Sequence, residues 1–74
     1  MQKVDFTLRG EFVQLCDLLK LAGVAESGGH GKTLVAAAEV RVDGVTEHRK
    51  TAKIRADQVV ECGDVRIRVL RNPE

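Results

Sequence analysis

The dipeptide Asp43-Gly44 restricts this chain more than any other feature. It lies between Val40-Arg41-Val42 and Val45-Thr46, and Asp-Gly in that setting specifies a tight two-residue hairpin, because both residues tolerate positive φ. An apolar helical run beginning at Ser27 precedes the hairpin, and a cluster of bases follows it. The middle of the chain therefore reads as helix, hairpin and basic loop, in that order.

Upstream, Val4, Phe6 and Leu8 alternate with Lys3, Asp5 and Thr7, the period of a strand with one buried face. After Arg9-Gly10 the spacing changes to Phe12, Leu15, Cys16, Leu19 and Ala22, widened by Leu18, which predicts an amphipathic helix from Glu11 to Ala22. Glu11 suits its positive end, Lys20 its negative end, and Gly23 can close it in the left-handed conformation. Val24-Ala25-Glu26 connects to Ser27, which can cap a second helix whose buried side is Leu34, Val35 and Ala38. Gly28, Gly29 and Gly31 near its start each cost roughly 1 kcal/mol relative to alanine. Either the turn packs too tightly against the first helix for side chains, the slightly favoured reading, or bare amides at a positive helix end let a phosphate approach.

Beyond the hairpin, His48-Arg49-Lys50 reads as a loop leading to Lys53-Ile54-Arg55, and Ala56-Asp57 turns the chain into Gln58 to Glu61. Gly63-Asp64 turns it again, into a last strand where Val65, Ile67 and Val69 alternate with Arg66 and Arg68. Those two arginines read as outward-facing guards of a terminal strand, and the tail Asn72-Pro73-Glu74 is expected to fray. The sum is an α+β domain, two helices on one face of a small, mostly antiparallel sheet of four to five strands. At 74 residues it holds a single domain, 1–74.

No apolar run approaches the roughly 18 residues that span a bilayer, and the start lacks the basic-then-apolar plan of a signal peptide, so a cytoplasmic location is expected. Cys16 and Cys62 lack the paired short spacing of a zinc or redox motif and read as reduced thiols, Cys16 in the core. No cofactor or metal is implied.

Twelve basic residues face eleven acidic ones, for a net charge of +1. The distribution says more than the total. From Ser27 to Arg55, Lys32, Arg41, Arg49, Lys50, Lys53 and Arg55 oppose only Glu39, Asp43 and Glu47, a local excess of +3, while each flank is −1. Arg49, Lys50, Lys53 and Arg55, beside His48, run without an acid on the stretch least suited to a core, which favours an anion site over a merely soluble loop. Lys32 opposes the helix dipole and is better explained by a bound anion than by helix stability. For Arg41, pointing away from Val40 and Val42, ordinary exposure and contact with a partner are equally consistent. His30 fits a capping or solvent role.

The order of these pieces resembles a known family. A leucine-rich helix with Leu15, Leu18, Leu19 and Gly23, then Ser27 and a second helix, then Val40-Arg41-Val42-Asp43-Gly44, is similar to the S-four (S4) RNA-binding domain, the αL motif. Leu15-Cys16-Asp17-Leu18-Leu19-Lys20, Glu26-Ser27-Gly28, Val42-Asp43-Gly44 and Arg49-Lys50 with Lys53-Ile54 resemble in particular the small, free-standing bacterial YbcJ-like members, over nearly the whole chain. The family often has a glycine before its first hairpin strand, where Ala38 or Glu39 stands here, and its Pro-Gly-Asp turn corresponds to Arg55-Ala56-Asp57. The resemblance implies binding of structured RNA, with ribosomal or transfer RNA as natural candidates, by a monomer, through the second helix, the hairpin and the loop after it. Ser27, Lys32, Arg41, Arg49, Lys50, Lys53 and Arg55 are the candidate RNA-binding residues.

Both phenylalanines fall in core patterns, so no aromatic platform for single-stranded bases is expected, and recognition should be of shape and phosphate. A protein-interaction adaptor meeting an acidic partner is the alternative, and it requires an exposed apolar patch beside the bases that the pattern does not show. An enzyme is the weakest reading, since no nucleophile-histidine pairing, carboxylate pair or metal spacing is present.

Overall fold

In a computed structural model that describes residues 2–73, the alternation at the start does produce a strand, β1 (Gln2–Thr7), with Val4 and Phe6 half-buried and Leu8 buried just beyond it. The chain then departs from expectation. The first helix, α1, spans Leu15–Leu21 and not Glu11 to Ala22, because Val13–Gln14 is extended as β2 and pairs antiparallel with β5 (Lys53–Ile54). Phe12 continued the helical spacing by coincidence, and a distant pairing overrides it. Leu15, Leu18 and Leu19 have no exposed surface, each contributing roughly 1.5–3 kcal/mol of burial.

Ser27 caps the second helix, α2 (Gly28–Ala36), as expected: its Oγ accepts the His30 N–H at 3.1 Å, and His30 Nδ1 accepts the Glu26 N–H at 3.1 Å, confirming His30 as a capping residue. Both helices end alike. After α1 the Gly23 N–H donates to Lys20 and the Val24 N–H to Leu19; after α2 the Ala38 N–H donates to Val35 and the Glu39 N–H to Leu34. Gly23 has φ 79°, and Ala38, at φ 60°, takes the left-handed position without being glycine. Ala38 is thus an exposed helix exit and not part of the buried side, which Val35 and the half-buried Leu34 supply.

Strands β3 (Val40–Val42) and β4 (Val45–Thr46) form the expected hairpin, with φ of 51° at Asp43 and 83° at Gly44. With β6 (Val59–Cys62) and β7 (Val65–Leu70) they complete a five-stranded sheet ordered β1-β7-β6-β3-β4, antiparallel except for the parallel β1/β7 pair. The α+β reading holds, with a mixed sheet and an additional β2/β5 ribbon. Strand β7 lies inside the sheet, so Arg66 and Arg68 are not edge guards: Arg66 pairs with Glu61 at 3.4 Å and Arg68 with Asp5 at 3.4 Å on the open face. The other face carries Val40, Val60, Ile67 and Val69 into the core beneath the helices. Glu74 of the tail lies outside the described residues.

Cys16 and Cys62 are both buried free thiols, and burial, aided by Glu39, pushes the Cys62 thiol up. The glycine question divides. A Cβ at Gly31 would stand 2.7 Å from the Cys16 carbonyl oxygen, whereas Gly28 meets nothing within 4 Å and Gly29 only Ser27 Oγ at 3.8 Å. In urea melts, Gly31→Ala should lose roughly 1–2 kcal/mol net of its helix-propensity gain, while Gly29→Ala should be neutral or gain up to about 1 kcal/mol. By the same measurement Ala38→Gly should gain roughly 0.5–1 kcal/mol, since the left-handed strain it relieves exceeds the added chain entropy.

Candidate nucleic-acid interface

The basic loop is held by its backbone. The Leu15 N–H donates to the Ala52 carbonyl at 2.9 Å and the Cys16 N–H to the Lys50 carbonyl at 3.1 Å, while the Ala52 N–H donates to Arg49 at 3.1 Å. Ala52 and Ile54 are buried, so the segment is not wholly surface as its charge suggested; alternation sends Lys53 and Arg55 outward. At the far end the Arg55 N–H donates to Gln58 Oε1 at 2.7 Å, Gln58 Nε2 donates to Asp43 Oδ2 at 3.2 Å, and Asp43 Oδ1 accepts the Val59 N–H at 2.9 Å. The hairpin turn thereby fixes the exit of the loop.

The start of α2 packs against the start of α1 at Gly31. The Lys50 carbonyl is bonded to Cys16, and the Cys16 carbonyl is the group that Gly31 must be bare to accommodate, so the backbones of the loop, the α1 start and the α2 start touch in sequence. Ser27 Oγ is engaged as acceptor and keeps its proton for an outside acceptor. Gly28 is half-buried and Gly29 exposed, and neither is required by packing as Gly31 is.

Arg41 is placed elsewhere. Its ladder neighbours are Thr46 and Glu61, on the open sheet face that carries Arg66 and Arg68. Arg49 is partly neutralised, its Nε and Nη2 bonding the two Glu47 carboxylate oxygens at 3.3 Å each. Among the described residues Lys32, Arg41, Lys50, Lys53 and Arg55 make no ion pair, whereas Arg66, Arg68 and Arg71 each do.

One residue was misjudged from sequence. Phe12 is 37% exposed, and Lys53 Nζ lies 4.9 Å and the Arg55 guanidinium 5.9 Å from its ring centroid, contacts worth about 0.5–1 kcal/mol each. The ladder explains this: Val13 opposite Ile54 faces inward, so Phe12 and Gln14 face outward with Arg55 and Lys53. The available signal was Val13, a β-branched residue between two side chains that the alternation sends out. An apolar surface beside the bases is therefore present, contrary to the sequence reading. Among the described residues no group of three or more acidic, histidine or cysteine side chains could hold a metal, and no helix is long and apolar enough to cross a membrane.

The S4 domain model matches residues 6–70. The chain belongs to the S4 domain family. It is 47% identical over 58 residues, 78% of its length and 83% of the relative's, to "Putative RNA-binding protein YbcJ" of Escherichia coli, and equally to "Uncharacterized protein YbcJ" of Shigella flexneri. The solution structure of YbcJ from E. coli, described as revealing an αL motif involved in RNA binding, superposes with a TM-score of 0.72 at 43% identity, covering 90% of this chain and 86% of that one.

At the two departures from the family pattern the backbone enters the left-handed region at a non-glycine residue. Ala38 occupies a left-handed helix exit at φ 60°, and in the turn at Arg55-Ala56-Asp57 the positive φ, 72°, falls on Asp57. The loop's own acid is tuned by its position: hydrogen bonds from the Arg49 side chain and backbone N–H hold the Glu47 carboxyl below its ordinary value of 4.5. A depressed carboxylate stabilises the fold above its unfolded pKa and loses that contribution as pH falls through the lower folded value. NMR titration should place Glu47 below 4.5, and Arg49→Gln should return it toward that value.

Proposed function

We propose that this S4 domain binds structured RNA without catalysing a reaction, as a cytoplasmic monomer, through the face built from the α2 start and the loop after the hairpin. Ribosomal and transfer RNA are its natural candidates as abundant folded RNAs. The observation that carries the reading is that Lys50, Lys53 and Arg55, cations without ion-pair partners among the described residues, follow one another on a loop whose backbone is already fixed, and that the loop is bonded to Cys16, against which the α2 start carrying Lys32 packs at Gly31. Ser27 and Arg49 complete the face, Arg49 by exchanging Glu47 for a phosphate. Arg41 contributes only to an RNA large enough to reach the sheet's open side. The name of the E. coli relative, which is similar over most of its length, supports the same partner class.

A second reading, an adaptor for an acidic protein, gains one observation: Phe12 and Leu21 expose apolar surface at 37% and 63%, with Lys53 and Arg55 beside Phe12. A pull-down with and without nuclease separates the two, since an adaptor keeps its partner after RNA is destroyed.

For wild type, affinity for a folded RNA should fall steeply between roughly 50 and 200 mM salt, as release of counterions requires. Combining Arg49→Glu, Lys50→Glu and Lys53→Glu should leave the domain folded at a cost of about 1 kcal/mol or less per site, because these side chains are exposed and only the Arg49–Glu47 pair and the Lys53–Phe12 contact are lost. RNA affinity should fall by roughly two orders of magnitude or more, with a salt slope shallower by up to about three. Titrations with melts on both proteins check this; unchanged binding by a folded variant would remove the loop from the interface.

A further inference from the structure

Phe12 borders a groove of about 490 Å³ that it shares with Phe6, Thr7, Arg9, Val13 and Leu21, a volume in the range that takes a small ligand. Of the three large apolar side chains exposed among the described residues, Phe12, Leu21 and Val45, two line this groove. Scattered apolar residues are ordinary on a surface, but two sharing one groove are not scattered. Its one charged lining residue is Arg9, and Lys53 and Arg55 stand over the Phe12 ring at its border.

An apolar, aromatic floor under three cations matches a polymer that alternates flat, weakly polar rings with anionic links. Single-stranded nucleic acid has that alternation, since every base presents a π-face and every link a phosphate. An acidic peptide satisfies the cations but brings no comparable ring at fixed spacing. The groove also adjoins the proposed phosphate face, because its Phe12 ring is in contact with Lys53 and Arg55 of that face.

We infer that the groove takes one unpaired nucleobase of the bound RNA, stacked on Phe12 and covered by Leu21, with the adjoining phosphates on Arg9 and on Lys53 and Arg55. This rests on the RNA-binding reading and extends it: the domain grips a helix through phosphates and reads a bulge or end beside it. Lys53 and Arg55 then hold the ring in place before the base arrives.

The test uses two RNA hairpins of equal length, one fully paired and one with a single bulged nucleotide carrying the fluorescent adenine analogue aminopurine. Wild type should bind the bulged hairpin at least about fivefold more tightly and quench the analogue, as stacking on an aromatic side chain predicts. Phe12→Leu should lose that preference, its affinities for the two hairpins becoming equal, and Phe12→Tyr should keep it. If Phe12→Leu does not fold, quenching and preference in wild type and Phe12→Tyr decide. Equal binding of both hairpins without quenching, or a preference that survives in folded Phe12→Leu, would overturn the stacked base and leave phosphate binding intact. Binding of neither hairpin would overturn both readings.

Discussion

The start of α1 depends on carbonyl groups borrowed from a loop more than thirty residues later in the chain. Gln14, at the cap position, makes no side-chain hydrogen bond, and the Leu15 and Cys16 amides are satisfied by Ala52 and Lys50. A buried amide left without an acceptor costs about 1–3 kcal/mol, a large share of the few kcal/mol a domain of this size has to spare. Helix and loop are consequently one cooperative unit. The same helix turns Leu15, Leu18 and Leu19 into the core, so the hydrophobic interior and the basic surface share a foundation.

That coupling explains the display of the bases. Inward-facing Ala52 and Ile54 anchor the segment, and the two-residue period leaves Lys53 and Arg55 no direction but outward. The Lys50 carbonyl is used inside while its side chain is exposed. Cations on backbone already engaged lose less conformational freedom on meeting a ligand than cations on a free loop. The bare Gly31 position serves the same end, because a side chain there would push α2 away from Cys16 and from the loop bonded to it.

What could be read from the sequence was local chemistry. The Asp43-Gly44 turn, the Ser27 cap, the Gly23 exit and the alternation of Val65, Ile67 and Val69 are each decided within a few residues, and each is present. What could not be read was decided at a distance. The pairing of Val13 with Ile54 pulled Phe12 out of the helix, and no pattern around Phe12 alone reveals that partner. Strand order escaped for a different reason: a strand of a one-sided sheet alternates whether it lies at the edge or inside, so Arg66 and Arg68 looked like guards when their roles are set by Glu61 and Asp5. Ala38 in the left-handed region carries no signal, since alanine, unlike glycine or asparagine, has no preference for that conformation. Of the candidate site, the loop bases and Ser27 were legible as types, while the separation of Arg41 from them required the sheet.

A net charge of +1 would make a poor polyanion binder if charge acted as a single sum. It does not, because at physiological ionic strength interactions between exposed charges fade over about 8 Å, less than the 10.9 Å radius of gyration of this domain. A phosphate at one face therefore responds to the charges of that face and little else. The ion pairs of Arg66, Arg68 and Arg71, at 3.4–3.5 Å, add only about 0–1 kcal/mol each to stability, yet they cancel charge locally on the surfaces where they lie. Lys32, Lys50, Lys53 and Arg55 have no such partners among the described residues, as Lys3, Arg9, Lys20 and Arg41 have none, but Lys50, Lys53 and Arg55 follow one another on one loop with no acid between them. The placement of the acids thus determines where this nearly neutral protein is positive, and moving one of the eleven acids beside the loop would change its electrostatics more than removing one from a distant surface.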